Sequence, residues 1–158
     1  MHIADIQTKE NVIIELQNSP IPTPIIYKRE TFYGKKMMWI INGKPFKENF
    51  EIYKSQLKED EEYYRRYNPS SSQYGLVDNG RKNEFDFSWS RCRKSWRDAQ
   101  RRIFIDFGDE NLFWVKEGMG THRGCGRQVS KKDFIAKYGG DLELLALIID
   151  NSNKKVGR

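Results

Sequence analysis

The sequence predicts an α/β domain with a small mixed β-sheet flanked by helices. Two apolar runs, 12–17 and 37–42, are rich in aliphatic residues, and each predicts a buried strand. Between them, 24–34 repeats apolar residues at helical spacing. A strand, a helix and a strand in this order predict a parallel β-α-β unit with a right-handed crossover. Two further apolar runs, 103–108 and 112–118, predict an antiparallel hairpin.

The first long strand carries polar residues at alternate positions. Residues 3–7 predict a shorter partner strand, joined by a short loop to strand 12–17. Because side chains alternate along a strand, Glu15 and Gln17 share one face. A Glu there is costly to bury unless something pairs with it. The hairpin brings Asp5 beside Glu15, and a divalent cation such as Mg²⁺ removes the repulsion between two carboxylates.

The helix expected over 24–34 follows a proline-rich turn. Pro24 suits its first turn, with Thr23 as the N-cap, and Gly34 ends it. Arg29 lies on an otherwise apolar face of this helix. One interpretation is that it extends its charged end to solvent or caps a neighbouring carbonyl.

The N-terminal segment resembles a nuclease pattern. Asp5, followed about ten residues later by Glu15-Leu16-Gln17, is similar to the PD-(D/E)XK nuclease core in its E-x-Q variant. A longer string resembles the competence protein CoiA-like nuclease family. That string consists of HIADI, VIIELQNSPI, a helix with Arg29 and Tyr33, and MMWIIN.

The resemblance implies a metal-dependent DNA endonuclease with a PD-(D/E)XK nuclease-like core. Asp5 and Glu15 would ligate Mg²⁺ or Mn²⁺, with the carbonyl of Leu16 as a third ligand. Gln17, which stands where the commoner pattern has Lys, would orient the attacking water by hydrogen bonding, but unlike Lys it cannot act as a general base or a cation. Arg29 would pair with a carboxylate of the site or with a substrate phosphate.

Two expectations concern the N-terminus. His2 lies on the same hairpin and would contact the phosphate or carry a proton, or it would belong to a frayed end. The helix and first strand that usually precede the Asp do not precede Asp5. We therefore expect either that later segments of the chain supply these two elements or that the domain is a reduced version of the fold.

Composition favours a polyanionic partner. The chain of 158 residues has a net charge of +6 and a pI near 9.3, which suits nucleic acid.

Cys92 and Cys125 give no disulfide framework, and His122 with Cys125 gives half a zinc site at best. With no signal peptide and no apolar run long enough to span a membrane, we expect a cytoplasmic protein.

Residues 85–103 predict a basic helix that buries its Trp face. Its cations either contact a phosphate backbone or simply lie on the solvent-exposed side of the helix. The residues predicted to bind nucleic acid are Lys28, Arg91, Arg93, Lys94, Arg97, Arg101 and Arg102. Asp106, within the following strand, is either a further acid or a polar edge residue.

The remaining segments complete one domain over 1–150, with a tail over 151–158. We expect an exposed helix over 46–67, a mobile loop over 68–84 and a Gly-rich loop over 120–128. Short helices are expected over 131–138 and 141–150.

Three functions remain possible from the sequence. The first is the nuclease, alone, as a homodimer or with a partner subunit. The second is a catalytically inactive nucleic-acid-binding module of the same fold. The third is a subunit whose basic surface binds an acidic protein. The pair of Asp5 and Glu15 argues for the nuclease, because adjacent carboxylates without a metal repel phosphate.

Overall fold

A computed structural model describes residues 3–54 and 84–140. These residues form one eight-stranded sheet with the spatial order β1-β2-β3-β6-β7-β8-β5-β4. In chain order the strands are β1 (Ile6–Gln7), β2 (Ile13–Gln17), β3 (Met37–Asn42), β4 (Phe50–Lys54), β5 (Glu84–Trp89), β6 (Arg102–Asp106), β7 (Asn111–Glu117) and β8 (Arg123–Ser130). The predicted α/β fold with a mixed sheet is confirmed.

Two α-helices accompany the sheet in the described part, α1 (Thr23–Tyr33) and α2 (Lys131–Lys137). Helix α1 ends at Gly34 as predicted, but its N-cap is Pro22. Thr23 is already helical, and its hydroxyl donates to the carbonyl of Ser95 instead of capping the helix. No helix within 3–54 and 84–140 is long and apolar enough to cross a membrane.

The parallel part of the sheet carries the predicted β-α-β unit. Strand β2 pairs in parallel with β3, and β3 pairs in parallel with β6. The other pairs, including the predicted hairpin β6–β7, are antiparallel. The central strands are buried on both faces, which explains their near-continuous apolar sequences.

The alternation predicted for β2 is confirmed by the two cores. Ile13 joins a large cluster with Ile26 of α1 and Trp39 of β3, on the face that also carries Glu15 and Gln17. Ile14 joins a smaller cluster on the other face, which α2 covers. Aromatic rings fill much of the larger core and stabilise it through the area they bury.

The prediction of a helix over 46–67 is wrong for residues 46–54, the part of this segment that the structure describes. Residues Lys44–Asn49 form a 3-10 helix, and β4 follows at once. The physical reason is tertiary packing of two aromatic residues. The ring of Phe46 lies 4.8 Å from that of Trp89, and Phe50 stacks on Phe87 at 4.7 Å. The predicted loop over 68–84 and helix over 141–150 lie outside the described residues, except Glu84, which begins β5.

The basic helix expected within 85–103 is also wrong. This segment contains β5, a 3-10 turn at Lys94–Trp96 and the start of β6. Trp89 and Trp96 stand seven positions apart, which matches two helical turns, yet Trp89 is buried from strand β5 and Trp96 from the 3-10 turn. The amide of Trp89 donates to the carbonyl of His122, and that of Ser90 donates to Asn49. Contacts distant in sequence therefore override the local spacing.

The Gly-rich segment 120–128 is largely a strand rather than a loop. Strand β8 lies between β7 and β5 in the sheet. A Cβ atom on Gly124 would meet the ring of Phe87 at 2.6 Å, and one on Gly126 would meet Phe113 at 2.7 Å. The missing side chains leave space for these two rings and for the backbone carbonyls of Glu117 and Trp114 on β7, so β8 forms despite low strand propensity.

Gly120 offers a stability prediction with a matched control. Gly120 and Gly139 both have positive φ, 75° and 77°. A Cβ on Gly120 would lie 2.6 Å from the backbone nitrogen of Arg97, whereas one on Gly139 meets nothing within 4 Å. We expect Gly139→Ala to cost about 1 kcal/mol of unfolding free energy for the backbone alone. Gly120→Ala should cost about 3 kcal/mol, because overpacking adds to that strain.

Urea denaturation of the two variants and the wild type measures this difference. Equal losses in Gly120→Ala and Gly139→Ala would show that the segment around Arg97 moves aside freely.

Candidate active site

The hairpin of β1 and β2 brings Asp5 to the backbone of Leu16. Ile6 lies opposite Ile14 and Gln7 opposite Ile13, so the same register places Asp5 opposite Glu15. The exposed Asp5 accepts a hydrogen bond at Oδ2 from the amide of Leu16, 2.8 Å away. The expectation that the hairpin places these two acids side by side therefore agrees with the register.

The turn of this hairpin is fixed by local hydrogen bonds. The hydroxyl of Thr8 accepts from the amide of Val12, and the amide of Thr8 donates to the carbonyl of Val12. Asn11 adopts a positive φ of 60° within the turn, a conformation that Asn tolerates better than most residues. The register of Asp5 is thus set by a few residues next to it in sequence.

Glu15 is fully buried at 0% exposure and is paired with Arg29 from α1. The guanidinium Nη1 of Arg29 lies 3.2 Å from Glu15 Oε2. The same Nη1 donates to the amide oxygen of Gln17 at 3.4 Å, and the amide nitrogen of Gln17 donates to the carbonyl of Ser19. Arg29 therefore joins the two polar residues of the β2 face, as an ion pair with the first.

Tyr33 stands one helical turn after Arg29, and the charges of Glu15, Arg29 and Asp5 act on its phenol. Burial raises the pKa of the Tyr33 phenol, and the charges of Glu15 and Asp5 raise it further, against the opposing effect of Arg29. The phenol therefore stays protonated at neutral pH, as a hydrogen-bond donor near the two acids.

The donor set suits a hard divalent cation. The N–H and C=O of a strand residue point to the same side, so the carbonyl of Leu16 faces the edge at which Asp5 binds its amide. Within 3–54 and 84–140, no group of three or more His, Cys, Asp or Glu residues could hold a metal. Two carboxylates, a carbonyl and waters are nevertheless donors of the kind that Mg²⁺ takes, and Asp5, Glu15 and the carbonyl of Leu16 are donors of this kind, although Glu15 is paired with Arg29.

Glu30 is a buried acid that the sequence interpretation missed. It is 4% exposed and accepts hydrogen bonds from the indole of Trp39 at 3.0 Å and from the amides of Gln100 and Arg101 at 2.9 and 3.1 Å. It thus joins α1 to β3 and to the segment before β6. Its spacing of four from the buried Ile26 is the signal that could have placed it on the inner face of α1.

The predicted nucleic-acid-binding cations do not form one stripe. Lys28 is exposed on α1, and Arg91, Lys94 and Arg97 are exposed in the irregular segment between β5 and β6. Arg93 and Arg101 are half-buried.

Arg93 and Arg102 have separate surroundings. The guanidinium of Arg93 lies 4.6 Å from the ring centre of Phe46, and burial lowers its pKa. Arg102 begins β6, and His2 lies outside the described residues. Asp106 is at the end of β6, where it pairs with Lys131 at 2.8 Å, on the sheet face opposite to Glu15.

Comparison with known protein families identifies the N-terminal half of the chain. A family model described as the nuclease-like domain of the competence protein CoiA matches residues 3–88, which include Asp5, Glu15, Gln17 and Arg29. No curated protein and no solved structure matches the chain.

Proposed function

This chain belongs to the competence protein CoiA nuclease-like domain family, and on that premise we propose that it is a metal-dependent endonuclease that hydrolyses DNA phosphodiester bonds. The observation that carries the proposal is the hydrogen bond from the Leu16 amide to Asp5. It holds one carboxylate beside the strand that carries the second, Glu15. Asp5 is exposed at this edge of the sheet and can meet a phosphate once its charge is compensated, with the buried Glu15 behind it.

The residues that would hold Mg²⁺ or Mn²⁺ are Asp5, Glu15 and the carbonyl of Leu16. Such an ion lowers the pKa of a bound water and neutralises charge that develops on the phosphate.

In this proposal Arg29 pairs with Glu15 in the free protein and also with a substrate phosphate in the complex. In the described structure its guanidinium compensates the buried charge of Glu15, which is costly to leave unpaired. In the complex, its remaining N–H groups would donate to a phosphate oxygen, since a guanidinium carries five donors. Gln17, fixed by Arg29 and Ser19, orients a water by hydrogen bonding, and the neutral Tyr33 phenol donates to an oxygen of the substrate.

The net charge of +6 supports DNA as the substrate. A positive field raises the rate at which a polyanion meets the protein, and this attraction weakens as salt is added.

A cleavage assay tests the proposal directly. Supercoiled plasmid and single-stranded circular DNA are incubated with the protein and Mg²⁺, Mn²⁺ or EDTA. We expect nicked or linear products with either metal and none with EDTA, because Asp5 and Glu15 need a cation to accept a phosphate between them. Cleavage that persists in EDTA contradicts the assignment of these residues.

A catalytically inactive nucleic-acid-binding module is the second candidate. The observation that favours it is the ion pair of Arg29 with Glu15, which compensates the carboxylate without a metal. Salt-dependent retention of DNA, with no cleavage under any metal condition, would identify this alternative.

A further inference from the structure

Three cations lie on neighbouring strands, on the sheet face opposite to Glu15. Arg102 begins β6 and precedes Ile103, which pairs with Val115 of β7. Lys116 follows Val115 at an irregularity of β7, so Arg102 and Lys116 lie next to the same pair. Arg127 of β8 lies opposite Trp114, and the ammonium group of Lys116 lies over the Trp114 ring, on the same face of the sheet. The three side chains form a row across β6, β7 and β8, here called the Arg102–Lys116–Arg127 row.

The position of Lys116 is fixed by an aromatic ring. Its ammonium nitrogen lies 3.3 Å from the ring centre of Trp114, and Trp114 is itself stacked on Phe104 at 5.6 Å. Burial lowers the pKa of Lys116, and the charges of Arg127 and, more weakly, Arg102 lower it further, against the opposing effects of Glu84 and Cys125. The row is therefore compact enough for its members to repel one another.

The acid next to the row compensates only part of its charge. Glu84 of β5 pairs with Arg127 at 2.9 Å. Arg102 and Lys116 lie next to the same pair of β6 and β7, and the charge of Arg102 acts against that of Lys116. Like charges close together on neighbouring strands destabilise a sheet. A bound anion would convert this repulsion into attraction.

We propose that the Arg102–Lys116–Arg127 row is a second phosphate-binding site, which holds the backbone of a nucleic acid strand on the face opposite to the cleavage site. Adjacent strands lie about 4.8 Å apart, so the row spans roughly 10 Å. This length suits several phosphates in sequence better than one free phosphate. The proposal rests on the proposed function only in taking nucleic acid as the polyanion.

Phosphate contacts of this kind position a strand without reading its sequence. The row would therefore bind a segment of the same strand beyond the cut, or a second strand, in any sequence context. It would contribute affinity and no catalytic group.

The test is a double variant, Arg102→Gln with Lys116→Gln, which leaves the Arg127–Glu84 pair intact. Its control is Lys47→Gln with Lys132→Gln, two exposed cations elsewhere, so both variants lose the same net charge. Binding of a single-stranded oligonucleotide is measured over a range of salt concentrations. The slope of log K against log salt should be shallower by about 1.4 in the first variant, for two lost contacts, and nearly unchanged in the control.

A second measurement uses a small polyphosphate as the ligand in place of nucleic acid. Inorganic tripolyphosphate should raise the Tm of the wild type and of the control variant but not that of the Arg102/Lys116 variant. Without polyanion, the Arg102/Lys116 variant should unfold at or above the wild-type Tm, because a repulsion has been removed.

An unchanged slope in the Arg102/Lys116 variant overturns the proposal, as does an equal change in the control. Protection by tripolyphosphate with no change in slope also overturns it, since the row would then hold a small polyphosphate. Failure of the nuclease assignment is a separate result, namely a wild-type protein that does not cut DNA. The salt slopes remain interpretable in that case.

Discussion

Asp5→Asn and Glu15→Gln are each expected to lower the rate of metal-dependent cleavage by about a thousandfold. Each change removes a carboxylate from the set that would hold the cation, and the cation compensates the charge of the reacting phosphate. Asparagine keeps an oxygen that can accept from the Leu16 amide, so the hairpin should be retained. DNA binding should be unchanged or tighter, since each variant loses a negative charge.

Initial rates at saturating plasmid, with Tm and DNA affinity measured in parallel, check this prediction. The matched control is Glu51→Gln, which neutralises an exposed carboxylate on β4, a strand at the other edge of the sheet. Its rate should equal that of the wild type. If both Asp5→Asn and Glu15→Gln cut at the wild-type rate, the active site lies elsewhere in the chain.

Glu30→Leu is expected to destabilise the fold by about 3–5 kcal/mol. The substitution leaves the indole of Trp39 and the amides of Gln100 and Arg101 without their charged acceptor in a buried site. A loss of this size should lower Tm by roughly 10 °C or more in a chain of this length. Glu30→Gln should have a smaller effect, because it keeps the oxygen that can accept from Trp39.

Thermal and denaturant unfolding measure both changes. Glu48→Leu serves as the control, since Glu48 is exposed and its replacement should change stability by less than about 0.5 kcal/mol. A loss in Glu30→Leu no larger than in this control would mean that the segment around Gln100 finds other partners.

The parallel core was predictable because its signals are local. The apolar runs of β2 and β3, the prolines before α1 and the glycine after it each constrain the backbone at their own positions. The hairpin of β6 and β7 followed from two apolar runs around a short polar turn. In these places local preference and tertiary packing agree.

The candidate site was predictable in part for the same reason. Asp5 and Glu15 are ten residues apart in sequence, and a hairpin fixes their register through its turn. That Arg29 pairs with Glu15 was left open by the sequence, because it depends on how α1 rotates over the sheet. The same rotation directs Glu30 into the core, and its spacing of four from the buried Ile26 was the local signal for this position.

The segment 85–103 shows where local reasoning gives the wrong structure. Trp89 and Trp96 have helical spacing, yet hydrogen bonds to His122 and Asn49 and the carboxylate of Glu30 hold this segment in strands and an irregular connection. Its cations consequently separate, and Arg102 joins Lys116 and Arg127 on another face.

The sequence by itself therefore determined the β2-α1-β3 unit, the hairpin that carries Asp5 and Glu15, and the basic character of the surface, because each depends on neighbouring residues or on composition. Only the tertiary structure decided the path of 85–103, the insertion of the Gly-rich β8 between β7 and β5, the partners of Arg29 and Glu30, and the Arg102–Lys116–Arg127 row. These features arise from strand register and from buried contacts between residues far apart in the chain, whose energies exceed the local preferences that a sequence pattern records.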